Sequence, residues 1–153
     1  MREIMFHGKR VNNGEWVEGY YVKKTDPLLG IEKHFIVKQE YGKYNILESF
    51  EFWYEVIPET VGQYTGKKDK NGVRIFEGHI LRFFRDELQV VEWEEEWSNL
   101  ALHTYGTIMT KKNGKFVKKQ VEGWNWLDDY PLHETLILGN IHDNPELLEA
   151  ISD

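Results

Sequence analysis

Cysteine is absent from the chain, and with it go a disulfide framework, a thiolate nucleophile and any Cys-ligated zinc site. A reducing cytosol fits that absence. No stretch approaches the roughly 20 consecutive apolar residues of a membrane-spanning helix. The first ten residues, Met1 to Arg10, alternate charge with hydrophobe and lack the apolar centre of a signal peptide. A cytoplasmic location is the expectation. An excess of positive charge is also missing, because the formal net charge is −7 at pH 7. Proteins that coat a duplex neutralise phosphates with a basic surplus, so duplex coating is disfavoured, while a local basic face remains compatible.

Catalytic signatures are equally scarce. The six histidines, His7, His34, His79, His103, His133 and His142, never fall at the His-x-x-x-His spacing that places two imidazoles on one helix face. His142-Asp143 and the Asp128-Asp129 pair near His133 are the only groupings that convergence in space would make metal-like. There is no Gly-x-Ser-x-Gly elbow and no Walker-type phosphate loop. Acidic pairs such as Glu92 and Glu94 share a face of a strand without forming a site. The sequence therefore points to no enzyme, no cofactor and no metal.

What is present is aromatic. Six Trp, eight Tyr and eight Phe make up 14% of the 153 residues, within a hydrophobic content of 41%. Flat rings suit the pleated surface of strands, and the length suits one domain or two small lobes. Ile4-Met5-Phe6 and Val11 lead into Asn12-Asn13-Gly14, a turn in which Asn and Gly tolerate positive φ, and Trp16 to Val22 returns. Thr25-Asp26-Pro27 breaks that strand. A second hairpin is expected from His34–Val37 through Gly42 to Tyr44–Leu47, followed by a strand from Phe52 to Ile57. Val61–Gly66 is extended, Lys67–Gly72 is a polar loop ending in Asn-Gly, and Val73–Phe76 resumes the strand. Glu77-Gly78 is a bend, with strands to follow at His79–Phe84, Leu88–Trp93 and Ala101–Met109. Glu94-Glu95-Glu96 reads as a solvated edge. Lys111–Lys115 is a hairpin turn into Phe116-Val117. Gly123–Asp129 reads as a loop carrying Trp124 and Trp126. Thr135–Leu138 reads as a buried strand. A terminal helix opens with Asn144 as its cap, Pro145 in the first helical position and Glu146 at the positive dipole end, with Leu147, Leu148 and Ile151 as its apolar side.

Two stretches together resemble the YopX family of phage and prophage proteins. One is the run from Pro58 to Leu81, with Val61-Gly62-Gln63-Tyr64-Thr65-Gly66 and Gly72-Val73-Arg74-Ile75-Phe76-Glu77-Gly78 at its heart. The other is Ile137-Leu138-Gly139-Asn140-Ile141-His142-Asp143-Asn144-Pro145-Glu146-Leu147-Leu148. The opening of the family is matched loosely by Met1 to Tyr20. The resemblance implies a β-rich fold with a small SH3-type barrel, a phage or prophage origin and self-association, and it implies no activity or catalytic residue. His79 stands where the family usually has Asp after Glu-Gly. The glycines and Pro145 explain themselves as backbone geometry.

The fold expected is all-β with one short C-terminal helix. It is a single domain over 1–153, with N-terminal hairpins over roughly 1–57, an SH3-like barrel over 58–143 and a helix over 144–153. Function is expected to be that of a phage-encoded, non-enzymatic interaction protein that self-associates in the host bacterium's cytoplasm. Tryptophans in polar surroundings, Trp93, Trp97, Trp124 and Trp126, would line its interfaces. The competing reading is a weak single-stranded nucleic-acid module. Its candidate surface is the basic set Lys67, Lys68, Lys70, Arg74, Arg82, Arg85, Lys111 and Lys112 with Trp124 and Trp126, because cations interleaved with rings suit a single strand.

Overall fold

The computed structural model describes residues 3–41, 49–83, 88–96, 98–112, 115–127 and 131–148; within 39–41, 49–51, 104–112 and 115–126 it describes the backbone alone. Eleven strands are present among these residues: β1 Phe6–Lys9, β2 Trp16–Thr25, β3 Glu32–Tyr41, β4 Ser49–Glu55, β5 Gly62–Lys68, β6 Arg74–Phe76, β7 His79–Arg82, β8 Leu88–Glu94, β9 Asn99–Lys112, β10 Lys115–Trp126 and β11 Leu136–Asn140. The fold is mainly β, in keeping with the aromatic-rich composition, and the strand pairs β1–β2, β1–β5, β2–β3, β3–β4, β7–β8, β7–β11, β8–β9 and β9–β10 are antiparallel. The chain forms two compact units, Met1–Tyr64 and Thr65–Asp153.

In the first unit, β1 to β4 follow one another as neighbours. The β1–β2 turn is the Asn12-Asn13-Gly14 signal: Gly14 takes φ 72°, and its N–H donates to Arg10 C=O at 3.0 Å. Asp26 builds the β2–β3 turn by accepting the N–H groups of Leu28 and Leu29 at 2.8 and 2.9 Å. These bonds favour the ionised form and hold its carboxyl below the usual carboxylate range. The sheet rolls back on itself. Arg10 bridges Val56, Val11 N–H donates to Glu55 C=O and Ile57 N–H to Lys9 C=O, so the end of β4 meets the end of β1. Close backbone approach inside the roll explains two glycines. A Cβ on Gly8 would press Val56 at 3.1 Å, and one on Gly19 would collide with Val37 C=O. A short 3-10 helix, Pro58–Thr60, then turns the chain into β5.

The second unit is built on a sheet of order β10-β9-β8-β7-β11. One face supplies the core. Ile75, Leu81, Val91, Leu100, Leu102, Leu127 and Leu132 are buried together, with Ile137 packed against them. Fully burying an aliphatic side chain of this size contributes about 1.5–3 kcal/mol. The sheet is open, with β10 and β11 as its two edges among the described residues, where the sequence suggested an SH3-type barrel over 58–143.

Three local expectations are corrected. The stretch read as a loop around Trp124 and Trp126 is strand: β10 pairs with β9 residue by residue as far as Trp126↔Ala101. Ring-rich residues beside a long partner strand outweigh the turn tendency of Gly123 and Asn125. The strand read as buried near Thr135 is the half-buried edge strand β11; the buried residue is Thr135 before it, whose hydroxyl donates to Leu132 C=O. Asn144 does not cap the helix with its side chain. Its Oδ1 accepts Asn140 N–H at 3.3 Å, and helical structure begins just after Pro145 at Glu146–Leu148. The return strand expected at Tyr44–Leu47 lies outside the described residues, as does Ile151; the partner of β3 is β4.

Candidate functional site

The basic loop between β5 and β6 is a hairpin whose turn is held from inside. Asp69 looks like one more solvated charge in Lys-Lys-Asp-Lys-Asn-Gly, yet it is buried. Its Oδ1 accepts the N–H groups of Asn71 and Val73 at 2.8 and 3.0 Å, and its Oδ2 accepts that of Ile137 at 3.3 Å. Lys70 N–H donates to Thr135 C=O at 3.0 Å, and Gly72 closes the turn at φ 78°. Side-chain acceptors in turns satisfy backbone donors that no strand partner reaches. Sequence reasoning missed Asp69; the available signal was an Asp two residues before Asn-Gly, an Asx-turn position.

That anchoring presents Lys67, Lys68 and Lys70 to solvent on one hairpin, with Arg74 half-buried at its base. The other cations named from sequence stand elsewhere. Arg82 is exposed at the end of β7, opposite Leu88 and Leu136. Arg85 lies outside the described residues. Lys111 and Lys112 end β9, where Lys112 pairs with Lys115. The β8 ladder on β9 stops at Leu88↔Tyr105, so beyond that row no third strand accompanies the β9–β10 hairpin among the described residues. Trp124 and Trp126 pair with His103 and Ala101. The ten residues of strand from Lys115 to Trp124 span about 30 Å, so the lysines and the tryptophans occupy opposite stretches of one hairpin.

The two stretches that carry the family resemblance meet in the second unit. β7 pairs with β11, Ile141 N–H donates to Gly78 C=O at 2.9 Å, and Gly78 N–H donates to Val91 C=O at 2.7 Å. Gly78 takes φ 86°, a region glycine enters without strain. Gly139 sits where a Cβ would fall on the Asn144 side chain. Asn140 Oδ1 accepts the N–H groups of His142 and Asp143, both at 3.0 Å. His79 belongs to this network. Its Nδ1 accepts Phe76 N–H at 3.1 Å and its ring meets Phe76 edge-on at 5.9 Å. Burial pushes the imidazole down to about 4 against the opposing pull of Asp69.

The remaining described histidines are also engaged locally. His7 packs tilted against the Trp16 ring, 4.6 Å between centres. His34 bonds Tyr21 Oη at 2.6 Å and faces Glu32 at 3.2 Å. His103 lies between Glu92 and Glu94, 3.5 Å from each, so the acid pair noticed in sequence brackets an imidazole. No group of three His, Asp or Glu suited to a metal occurs among the described residues, and Asp128-Asp129 lie outside them.

The first unit carries a surface that no motif marks. The register aligns Tyr20, Val37 and Trp53 in one row across β2, β3 and β4, with Val22, Phe35 and Glu55 in the next row. Opposed residues share a face, and Trp53 meets Phe35 edge-on at 5.7 Å. Tyr20 is 61% exposed and Trp53 41%. Lys24 Nζ sits 4.1 Å from the centre of the Trp53 ring, and Lys33 pairs with Glu55 at 3.2 Å. Beyond the rows, the β2–β3 turn exposes Leu28, Leu29 and Ile31.

The profile of the YopX protein family matches residues 13–149. The chain belongs to the YopX family. A comparison with curated proteins finds no match. The crystal structure of protein EF1440 from Enterococcus faecalis is similar over 97% of this chain and 99% of that one, at 24% identity and a TM-score of 0.41. No helix among the described residues is long and apolar enough to cross a membrane.

Proposed function

We propose that this YopX-family chain is a phage- or prophage-encoded interaction protein without enzymatic activity, which self-associates in the cytoplasm of the host bacterium. One observation carries the reading. The β2–β3 turn is built by Asp26 and by Gly30 at φ 64°, and it holds Leu28 93% exposed and Leu29 71% exposed. Adjacent large aliphatic side chains fixed in water are a reason for association, because covering them removes apolar area at about 25 cal/mol per Å². The family membership supports the phage origin. Light scattering tests the reading. A mass that is a multiple of 18.3 kDa is expected at working concentration, falling toward the monomer in a Leu28→Ser, Leu29→Ser variant; a monomeric parent chain refutes it.

A second reading is single-stranded nucleic-acid binding, favoured by the fixed hairpin that presents Lys67, Lys68 and Lys70. Its mark is affinity that falls steeply with salt in a gel shift. Absence of a shift at low salt ends it.

A further inference from the structure

Short of Glu55, no strand among the described residues pairs with the outer edge of β4. Val56 N–H donates to His34 C=O at 2.9 Å, which makes His34↔Val56 a bonded pair. Bonded pairs recur at every second residue of an antiparallel ladder, so Ile36↔Tyr54 and Lys38↔Phe52 are bonded too. Trp53 and Glu51 therefore direct N–H and C=O away from β3. The next group in that outward series, Glu55 C=O, is taken by Val11 N–H at 3.0 Å, which confirms the direction. Past Glu55 no described strand lies on this side of β4.

Where the edge opens, a cleft of about 220 Å³ is lined by Arg10, Val11, Asn12, Trp53, Tyr54 and Glu55. The two rings lie on opposite faces of β4, and each carries a cation. Arg10 Cζ is 4.5 Å from the Tyr54 ring centre and Lys24 Nζ is 4.1 Å from that of Trp53. Arg10 also reaches Glu15 at 3.4 Å, and Glu55 is paired with Lys33. Lys24 makes no ion pair with a carboxylate among the described residues, so the Trp53 side of the edge holds an unanswered positive charge beside exposed apolar surface.

We propose that the open edge of β4 docks an extended segment of a partner protein, which adds as a strand and places an acidic side chain beside Lys24. Main-chain bonds to Trp53 and Glu51 supply affinity that does not depend on sequence, and alternate side chains are read by the Trp53 and Tyr54 sides of the cleft. The acid completes Lys24 on the Trp53 face, while its apolar neighbours point to the opposite face, beside Tyr54. This deepens the interaction reading at one surface of the first unit; its readout, peptide binding, is separate from the light-scattering mass, so either can fail alone.

The test is fluorescence anisotropy on the full chain with a labelled peptide of alternating valine and glutamate. Three probes accompany it: the same peptide with lysine for glutamate, the acidic peptide N-methylated at every second amide, and a short oligothymidylate. The acidic peptide is expected to bind best and to lose about thirtyfold or more on N-methylation, which removes the donors a strand needs. Lys24→Glu is expected to weaken it about tenfold, and Lys68→Glu, on the hairpin of the other unit, to leave it unchanged. Equal binding of the N-methylated or the lysine peptide overturns the proposal. So does tighter binding of the oligothymidylate, an equal loss in Lys68→Glu, or no peptide binding at all. The N-methylated probe leaves the protein untouched, so the result stands even where a variant folds poorly.

Discussion

The β5–β6 hairpin and the β4 edge treat their polar groups in opposite ways. In the hairpin a buried carboxylate gathers three backbone N–H groups, and the turn's donors end inside the unit. Along β4 the outward N–H and C=O groups of Trp53 and Glu51 face no strand of the described residues. The hairpin carries the family's most recognisable residues and consumes its hydrogen bonds internally. The edge carries no motif and leaves its bonds for something else. A sequence signature of Gly, Asn and Pro marks where backbone geometry is demanding, and such places are commonly complete in themselves.

The contrast breaks most visibly at Asp69. Asp69→Ala strips three backbone donors of their acceptor and is expected to cost about 3–5 kcal/mol in urea unfolding. Asp69→Asn, which keeps an acceptor oxygen for Asn71 and Val73, is expected to cost about half of that. A loss below about 1 kcal/mol for the alanine variant would show that the hairpin does not depend on its internal bonds.

His79 gives the same unit a pH dependence. Its folded-state value is lowered from 6.5 to about 4, so the unfolded chain takes up the proton first. Its contribution is complete above the unfolded value and is lost as pH falls from about 6.5 toward 4, a change of about 3 kcal/mol for a shift of that size. His79→Gln retains an acceptor without titrating, and is expected to flatten that limb of the stability profile. An unchanged slope between pH 6.5 and 4 in the variant would assign the acid limb to other groups.

Effects on the aromatic face should be smaller for folding and larger for binding. Trp53→Ala is expected to cost about 1 kcal/mol of stability, since the ring is partly in solvent, while weakening the acidic peptide about tenfold or more. The smallest effect is expected at Gln89. It is buried in the second unit, and its side-chain amide finds no partner among the described residues. Gln89→Leu removes an unsatisfied group and is expected to lie between neutral and about 1 kcal/mol stabilising.

The legibility of the chain follows the same division. Turns stood out wherever a residue type has a backbone meaning: Gly14, Gly72 and Gly78 all take positive φ where the sequence placed a reversal. Alternation and ring content located most strands. The loop expected around Trp124 failed because pairing with β9 is a long-range fact that local turn tendency does not contain. Asp69 was hidden for a related reason. Its burial is completed by Ile137, 68 residues away, and a charged residue among lysines looks solvated until that strand is in place. The row of Tyr20, Val37 and Trp53 is a product of register across three strands and leaves no mark in any one of them. The basic residues were visible as charge runs, but separation along the β9–β10 hairpin appears only once strand lengths are known.

Mapping backbone amide resonances of the isotope-labelled full chain during titration with the valine–glutamate peptide tests the division most directly. The account expects the shifts to fall on Arg10–Asn12, Tyr20–Lys24 and Phe52–Glu55, with the amide of Trp53 newly protected from exchange. Shifts centred on Lys67–Arg74 or on Gly139–Pro145, with Trp53 unaffected, would contradict it.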